Sequence, residues 1–229
     1  MKIASRIERR VPAARSDRAV GALMDAAGGP DEFLERYAVI VCADHGQTRV
    51  DNACRLQDRY AGVDGVLVTA SNRAGMVYRF DDCPLDPRQL AARLDDEPAA
   101  EVALFREGEA AVARRDGEEL AFAPDGDGGW STSGDESILD HPDALARAYA
   151  ALRNPNAGEV IVSAAPGFEF ADLGGRHHAG GGSHGSLGAG DSLVPMLVVG
   201  LERRPGSIVD VAPAVLEHFG LRRDAARAA

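Results

Sequence analysis

Tyr37-Ala38-Val39-Ile40-Val41-Cys42-Ala43-Asp44-His45-Gly46-Gln47-Thr48 is the stretch whose reading decides the fold. From Ala38 to Ala43 every residue is apolar, so neither face of the segment is left for water. A run this short predicts a strand covered on both sides, the pattern of a parallel strand between helices. The run breaks at Asp44-His45-Gly46. In open α/β sheets, sites form where polar side chains emerge at the carboxyl ends of strands. A carboxylate and an imidazole there suit zinc or manganese, and Gly46 lets the chain turn at once. Alone, an Asp-His-Gly reads as a polar strand end, so a second ligand-bearing segment is needed.

Outward from this strand, Ser16–Ala27 predicts a helix with Val20, Leu23 and Met24 on its apolar side, closed by Gly28-Gly29. Pro30–Arg36 adds a short helical turn. The apolar pattern returns only at Glu159–Ala164 and Leu193–Gly200, followed by a last helix over Asp210–Phe219 with Pro213 in its first turn and Gly220 after its end. The middle differs in texture. Gly65–Thr69, Gly75–Phe80, Glu101–Arg106, Ala110–Arg115 and Glu118–Ala123 predict strands, the last two joined at Asp116-Gly117, a hairpin signal. Asp86-Pro87 opens a helix through Leu94, Pro124–Gly134 reads as a loop, and Pro142–Leu152 reads as a helix capped by His141 or Asp140. The expected class is α/β: a partial sheet with flanking helices plus a smaller α+β cap insert. Residues 1–49 form the first part of the core, 50–156 the insert, 157–221 the second part and 222–229 a tail.

The chain has 229 residues, 45% of them hydrophobic, enough to bury a core. It has no run of eighteen apolar residues to span a membrane. The start, Met1-Lys2-Ile3-Ala4-Ser5-Arg6, lacks the apolar stretch of a signal peptide. A formal charge of −11 disfavours a surface that tracks nucleic-acid phosphates, yet leaves a small phosphoester open, since bound cations reverse the local field. Cys42, Cys54 and Cys83 match neither a disulfide framework nor a metal motif. Cys42 reads as a buried small hydrophobe, and all three suit a reducing cytoplasm.

The second ligand-bearing segment is Gly174-Gly175-Arg176-His177-His178-Ala179-Gly180-Gly181-Gly182-Ser183-His184-Gly185-Ser186-Leu187. A Gly/His-rich linker is the plain reading. Its place between two apolar strands, just before Asp191-Ser192-Leu193-Val194-Pro195, favours a glycine-lined loop that brings a histidine to a metal. His177 and His178 read as solvent-facing or as support for His184. Asp191 reads as a histidine partner or a turn cap, and His141 and His218 as surface or helix residues. Asp125-Gly126-Asp127-Gly128-Gly129 resembles a calcium loop interrupted by Trp130. Arg114-Arg115 and Arg203-Arg204 read as solvated charges.

Ala43-Asp44-His45-Gly46, Gly182-Ser183-His184-Gly185, Val194–Gly200 and Asp210–Leu216 occur in the order found in the alkaline phosphatase superfamily. The chain most resembles its type I phosphodiesterase and nucleotide pyrophosphatase branch, over about 17–46 and 159–220. The resemblance implies a phosphoric-ester hydrolase acting on a small phosphoester with two divalent metals, usually zinc, with manganese an option. It implies Asp44 and His45 on one metal and His184 on the other. The family's remaining ligands, an Asp-x-x-x-His pair and an earlier Asp, and its Thr or Ser nucleophile have no counterpart here. Lys2 and Arg6 stand where the Asp-x-x-x-His pair is expected, and Thr48, Thr69 and Thr132 are the only threonines. The nucleophile-bearing half is therefore expected outside this chain, and the chain alone is expected to turn over poorly or not at all. The alternatives are a non-catalytic metal- or ligand-binding remnant of the fold and, outside the family, a flavodoxin-like module with a coincidental Asp-His-Gly.

Overall fold

The computed structural model describes residues 4–221, with side-chain surroundings from residue 14 onward. Lys2, the side chain of Arg6 and the tail at 222–229 lie outside the described residues. In chain order the first elements are α1 (Ala4–Ala26), α2 (Pro30–Arg36), β1 (Val39–Cys42), β2 (Thr48–Arg49), β3 (Asn52–Cys54), β4 (Val66–Ser71) and β5 (Ala74–Arg79). Then come α3 (Pro87–Ala92), β6 (Ala100–Glu107), β7 (Ala110–Arg115), β8 (Glu118–Pro124), β9 (Trp130–Gly134) and α4 (Ala144–Leu152). The last are β10 (Val160–Ala164), β11 (Phe168–Phe170), β12 (Gly182–Ser183), α5 (Ala189–Ser192), β13 (Met196–Val199) and α6 (Val211–His218). Short 3-10 turns lie at Leu56–Tyr60, Glu136–Leu139 and Ile208–Asp210. The fold is mixed α/β, and it divides into two compact units, one from residues up to 44 and from 195 on, the other from 45 to 194.

The larger unit is built on a seven-stranded sheet ordered β4-β5-β10-β6-β7-β8-β9, antiparallel throughout. Its central strands β6, β7 and β10 bury side chains on both faces. On β6, Ala103 and Phe105 pack with Leu56, Val77, Leu90 and Val160, while Val102 and Leu104 point to the opposite cluster of Leu120, Phe122, Ile138 and Leu152. Each fully buried Val, Leu or Phe there contributes about 1.5–3 kcal/mol. The helix α3 on one face starts with a full capping box, in which Asp86 and Gln89 satisfy each other's backbone amides. The expected hairpin is present: Asp116 and Gly117 both adopt positive φ (51° and 86°), the geometry that a two-residue link between twisted strands requires. Two small pairs complete the unit, β11 parallel to β3 and β12 antiparallel to β2.

The smaller unit holds α1, α2, α6 and the pair β1–β13. Its strands run antiparallel, Val39 opposite Val199 and Cys42 opposite Met196, where the apolar run predicts parallel pairing. Cys42 is exposed, as are Val41, Leu197 and Val199, where the sequence predicts burial. An apolar run records surface that folding would profit from covering; strand direction and the covering element are set elsewhere in the chain.

Four other expectations change. Glu159–Ala164, assigned to the same sheet part as residues 193–200, forms β10 between β5 and β6 of the large antiparallel sheet. The Pro124–Gly134 loop ends in strand β9, whose residues pair along β8. The helix expected from Pro142 starts at Ala144 after a left-handed Asp143. His141 is no surface residue: its ring is largely buried, with Nε2 at 3.4 Å from Glu101.

Candidate functional site

The polar end of the apolar run and the glycine-histidine loop meet in the larger unit. Gly46 donates its amide to the Asp191 carbonyl (2.8 Å), and a β-carbon on Gly46 would stand 2.1 Å from the Gly190 carbonyl oxygen. Only glycine allows two backbones to pass so closely. Two residues on, Thr48 pairs with Ser183 across β2 and β12. That register brings His45 and His184 together. Their rings stack with centroids 3.5 Å apart and planes inclined by 10°.

Each ring has a neighbour that fixes it. His45 Nδ1 lies 2.9 Å from the Gly46 carbonyl, which an N–H donor suits and which leaves Nε2 as the lone-pair nitrogen. His184 Nε2 lies 3.4 Å from the Asn72 side-chain amide. Asn72 sits at the two-residue turn between β4 and β5 with a φ of 56°, a conformation asparagine tolerates better than most residues. The next residue, Arg73, donates its amide to the His184 carbonyl (2.8 Å).

Beneath the rings lies a buried polar cluster. Arg73 and Asp191 form an ion pair at 2.8 Å with side chains 3% and 1% exposed. Asp191 also accepts from the Thr48 hydroxyl and from the amide and hydroxyl of Ser186. Burial pushes the Asp191 carboxyl up, yet the bonds from Thr48 and Ser186 and the Arg73 charge together hold it below the ordinary carboxylate range. Arg73 gives its remaining donors to the carbonyls of Ala164, Ala165 and Phe168. Asp191 thus supports the loops through Thr48, Ser186, Arg73 and the Gly46 amide. Arg73 and Asn72 escaped the sequence reading; the available signal was Ser71-Asn72-Arg73-Ala74, a turn dipeptide between two strand-forming runs.

The other candidates go elsewhere. Asp44, the residue before His45, closes the smaller unit. His178 meets the fully buried Glu169 through its ring (3.2 Å) and its amide. His177 Nδ1 accepts from the Ala179 amide, and the His218 ring packs edge-on against Phe219. The Asp125 carboxylate accepts from the amides of Asp127 and Gly129, which accounts for that loop as a self-bonded turn. Arg114 is no solvated charge: it grips Asp95 through two nitrogens (2.8 and 2.6 Å) and reaches Glu119.

The stack constrains what metal it can hold. An imidazole binds zinc through a lone pair in the ring plane, at about 2.0–2.1 Å. Parallel planes 3.5 Å apart share no such point, so an ion between the rings would stand far out of both. One ion per ring would meet no such obstacle. Among the described residues, no three His, Cys, Asp or Glu side chains gather into a metal-holding group. Nor is any helix there long and apolar enough to cross a membrane.

Comparison with known proteins gives two findings. The family model described as type I phosphodiesterase / nucleotide pyrophosphatase matches residues 7–187. A solved structure of phosphonoacetate hydrolase from Sinorhizobium meliloti 1021, in complex with phosphonoformate, is similar at a TM-score of 0.48 and 16% identity. The similarity covers 80% of this chain and 41% of that one, so this chain spans well under half of its length. No curated protein matches.

Proposed function

Because the chain belongs to the type I phosphodiesterase / nucleotide pyrophosphatase family, we propose that it carries part of a metal-dependent phosphoric-ester hydrolase site in which His45 and His184 each hold a different divalent ion. The observation that supports this reading is the parallel stack of the two rings, whose in-plane lone pairs do not converge on one point. Asp44 is assigned beside His45 on the first ion. Zinc fits this nitrogen and oxygen set, with manganese as the alternative. Ions held there would supply Lewis-acid stabilisation of charge on a phosphoryl group, with a small phosphoester as the substrate class.

The protein's own residues then do three things. The His45 Nδ1 contact with the Gly46 carbonyl would leave Nε2 as the lone-pair nitrogen for a metal. Asn72 orients the His184 ring. Thr48 spends its hydroxyl on Asp191 and Ser183 is buried, so neither is assigned as nucleophile, and the attacking group is expected from outside this chain. Catalytic zinc normally has three protein ligands. Asp44, His45 and His184 fall short of that for two ions, so each ion is held loosely and turnover by this chain alone is poor. The second reading is a metal- or ligand-binding relative of the fold without catalysis.

The test is hydrolysis of a nitrophenyl phosphodiester and phosphomonoester by the purified chain with zinc or manganese, beside Asp44→Ala, His45→Ala and His184→Ala. Weak metal-dependent turnover lost in all three supports the hydrolase. Metal binding with no turnover supports the second reading. Robust turnover would place a working nucleophile in this chain.

A further inference from the structure

We propose that the buried Arg73–Asp191 pair is the positioning element that ties the two histidine loops together and keeps the rings of His45 and His184 stacked. Asp191 holds the His45 side: its carbonyl takes the Gly46 amide and its carboxylate takes the Thr48 hydroxyl. Arg73 holds the His184 side, because its amide donates to the His184 carbonyl at 2.8 Å and its neighbour Asn72 reaches the ring. The guanidinium bond to Asp191 (2.8 Å) joins the two sides. Ser186, two residues after His184, adds an amide and a hydroxyl to the same carboxylate oxygen. Every loop that bears or supports a ring is thus within two or three residues of one carboxylate. The guanidinium itself is anchored on three carbonyls at the end of β10 and beyond it, so the tie runs from the rigid sheet to the loops.

The bonds of the pair run to loop backbone, to Thr48 and to Ser186, so it acts on the rings through their loops, as a positioning device. As a metal-site device the proposal rests on the reading of His45 and His184 as ligands; as the cause of the stack it does not. Removing one member alone leaves a buried unpaired charge, which is strongly destabilising. The informative variant is therefore the neutral double substitution Arg73→Met/Asp191→Leu, since replacing both members of a buried pair by apolar residues is often tolerated. Thr48→Val, which removes one bond without creating a charge, serves as the milder variant.

The experiment is NMR of the full chain without metal, following the ring protons of His45 and His184 and the exchange of the Gly46 and Arg73 amides. In the parent, stacking shifts both sets of ring protons upfield and gives inter-ring contacts. The double variant is expected to fold, lose both signatures and exchange these amides faster; Thr48→Val is expected to weaken the signatures and to speed exchange at Gly46. A zinc titration on the same samples is expected to show at least about tenfold weaker binding in the double variant, the usual cost of losing support behind a ligand. A folded double variant that keeps its stack overturns the proposal. If the double variant does not fold, Thr48→Val decides, and an unchanged stack and Gly46 exchange overturn it. A parent that shows the stack but binds no zinc overturns the hydrolase reading and leaves the positioning role standing.

Discussion

The two units treat the same kind of sequence in opposite ways. In the larger one, apolar strands such as β5 and β10 disappear between helices and turns, with Val77, Val160 and Val162 at 0% exposure. In the smaller one, the equally apolar β1 and β13 keep Val41, Leu197 and Val199 at 46%, 65% and 46% exposure. Composition does not separate them. The larger unit has enough strands to be covered on both faces by its own α3 and α4, whereas a two-stranded pair has too little area to bury its own side chains. Apolarity states a demand, and only the surrounding chain meets it. The candidate site illustrates the same point with polar groups: Asp191 is stable in the interior because Thr48, Ser186 and Arg73 surround it.

Two substitutions set the units against each other. Phe105→Ala, in the larger unit, should destabilise by about 3–5 kcal/mol through the cavity it leaves. Leu197→Ala, in the smaller unit, should stay within about 0.5 kcal/mol, as exposed substitutions do. Denaturant unfolding of both variants is the check; comparable losses would mean that β13 is covered in solution. Next comes Gly46→Ala, expected to cost about 1–3 kcal/mol by overpacking, because its new methyl meets the Gly190 carbonyl oxygen. A neutral result would mean that the two backbones do not pass as closely as described.

A smaller effect follows from Asp191, whose folded carboxyl sits below its ordinary value of 3.8. The folded state therefore prefers the charged form. The stability this supplies is fully present above the ordinary value and is lost as the pH falls through the lowered folded value. Unfolding free energy followed from about pH 6 down to pH 3 should decline, and the neutral double variant Arg73→Met/Asp191→Leu should flatten the part of the slope that this group contributes. An unchanged slope would remove Asp191 as an acid-sensitive support. The last effect leaves stability untouched. Cys42, exposed in the smaller unit, should react first with a thiol reagent near neutral pH. Burial, with Glu97 nearby, pushes the Cys54 thiol up to about 11 and so suppresses its thiolate. Mass mapping of the labelled thiols checks the order, and faster labelling of Cys54 would contradict it.

Local signals carried much of this structure. The strands at 66–71, 74–79, 100–107, 110–115 and 118–124, the Asp116-Gly117 turn and the Asp86-Pro87 helix start were legible because each is fixed by neighbours in sequence. Strand direction was not, since a strand covered on both faces looks the same whichever way its partner runs. That is why β10 was placed with the wrong neighbours. At the site, the sequence singled out His45 and His184 by their glycine-rich settings, and the structure brings their rings together. It could not reveal Arg73 or Asn72, whose importance arises from a turn that reaches across more than a hundred residues to His184. The tie through Asp191 was equally hidden, because a carboxylate in a short loop looks like a cap until its partners are known.

We propose that the stacked rings serve two ions, one each. This is tested most directly by cobalt titration of the full chain, with absorption spectra and binding stoichiometry read in the parent, His45→Ala and His184→Ala. Two weak sites in the parent, with one lost in each variant and the other retained, is the expected result. A single site abolished by either substitution would mean a shared ion and an unstacked pair, and unchanged binding in both variants would remove these histidines from the metal site altogether.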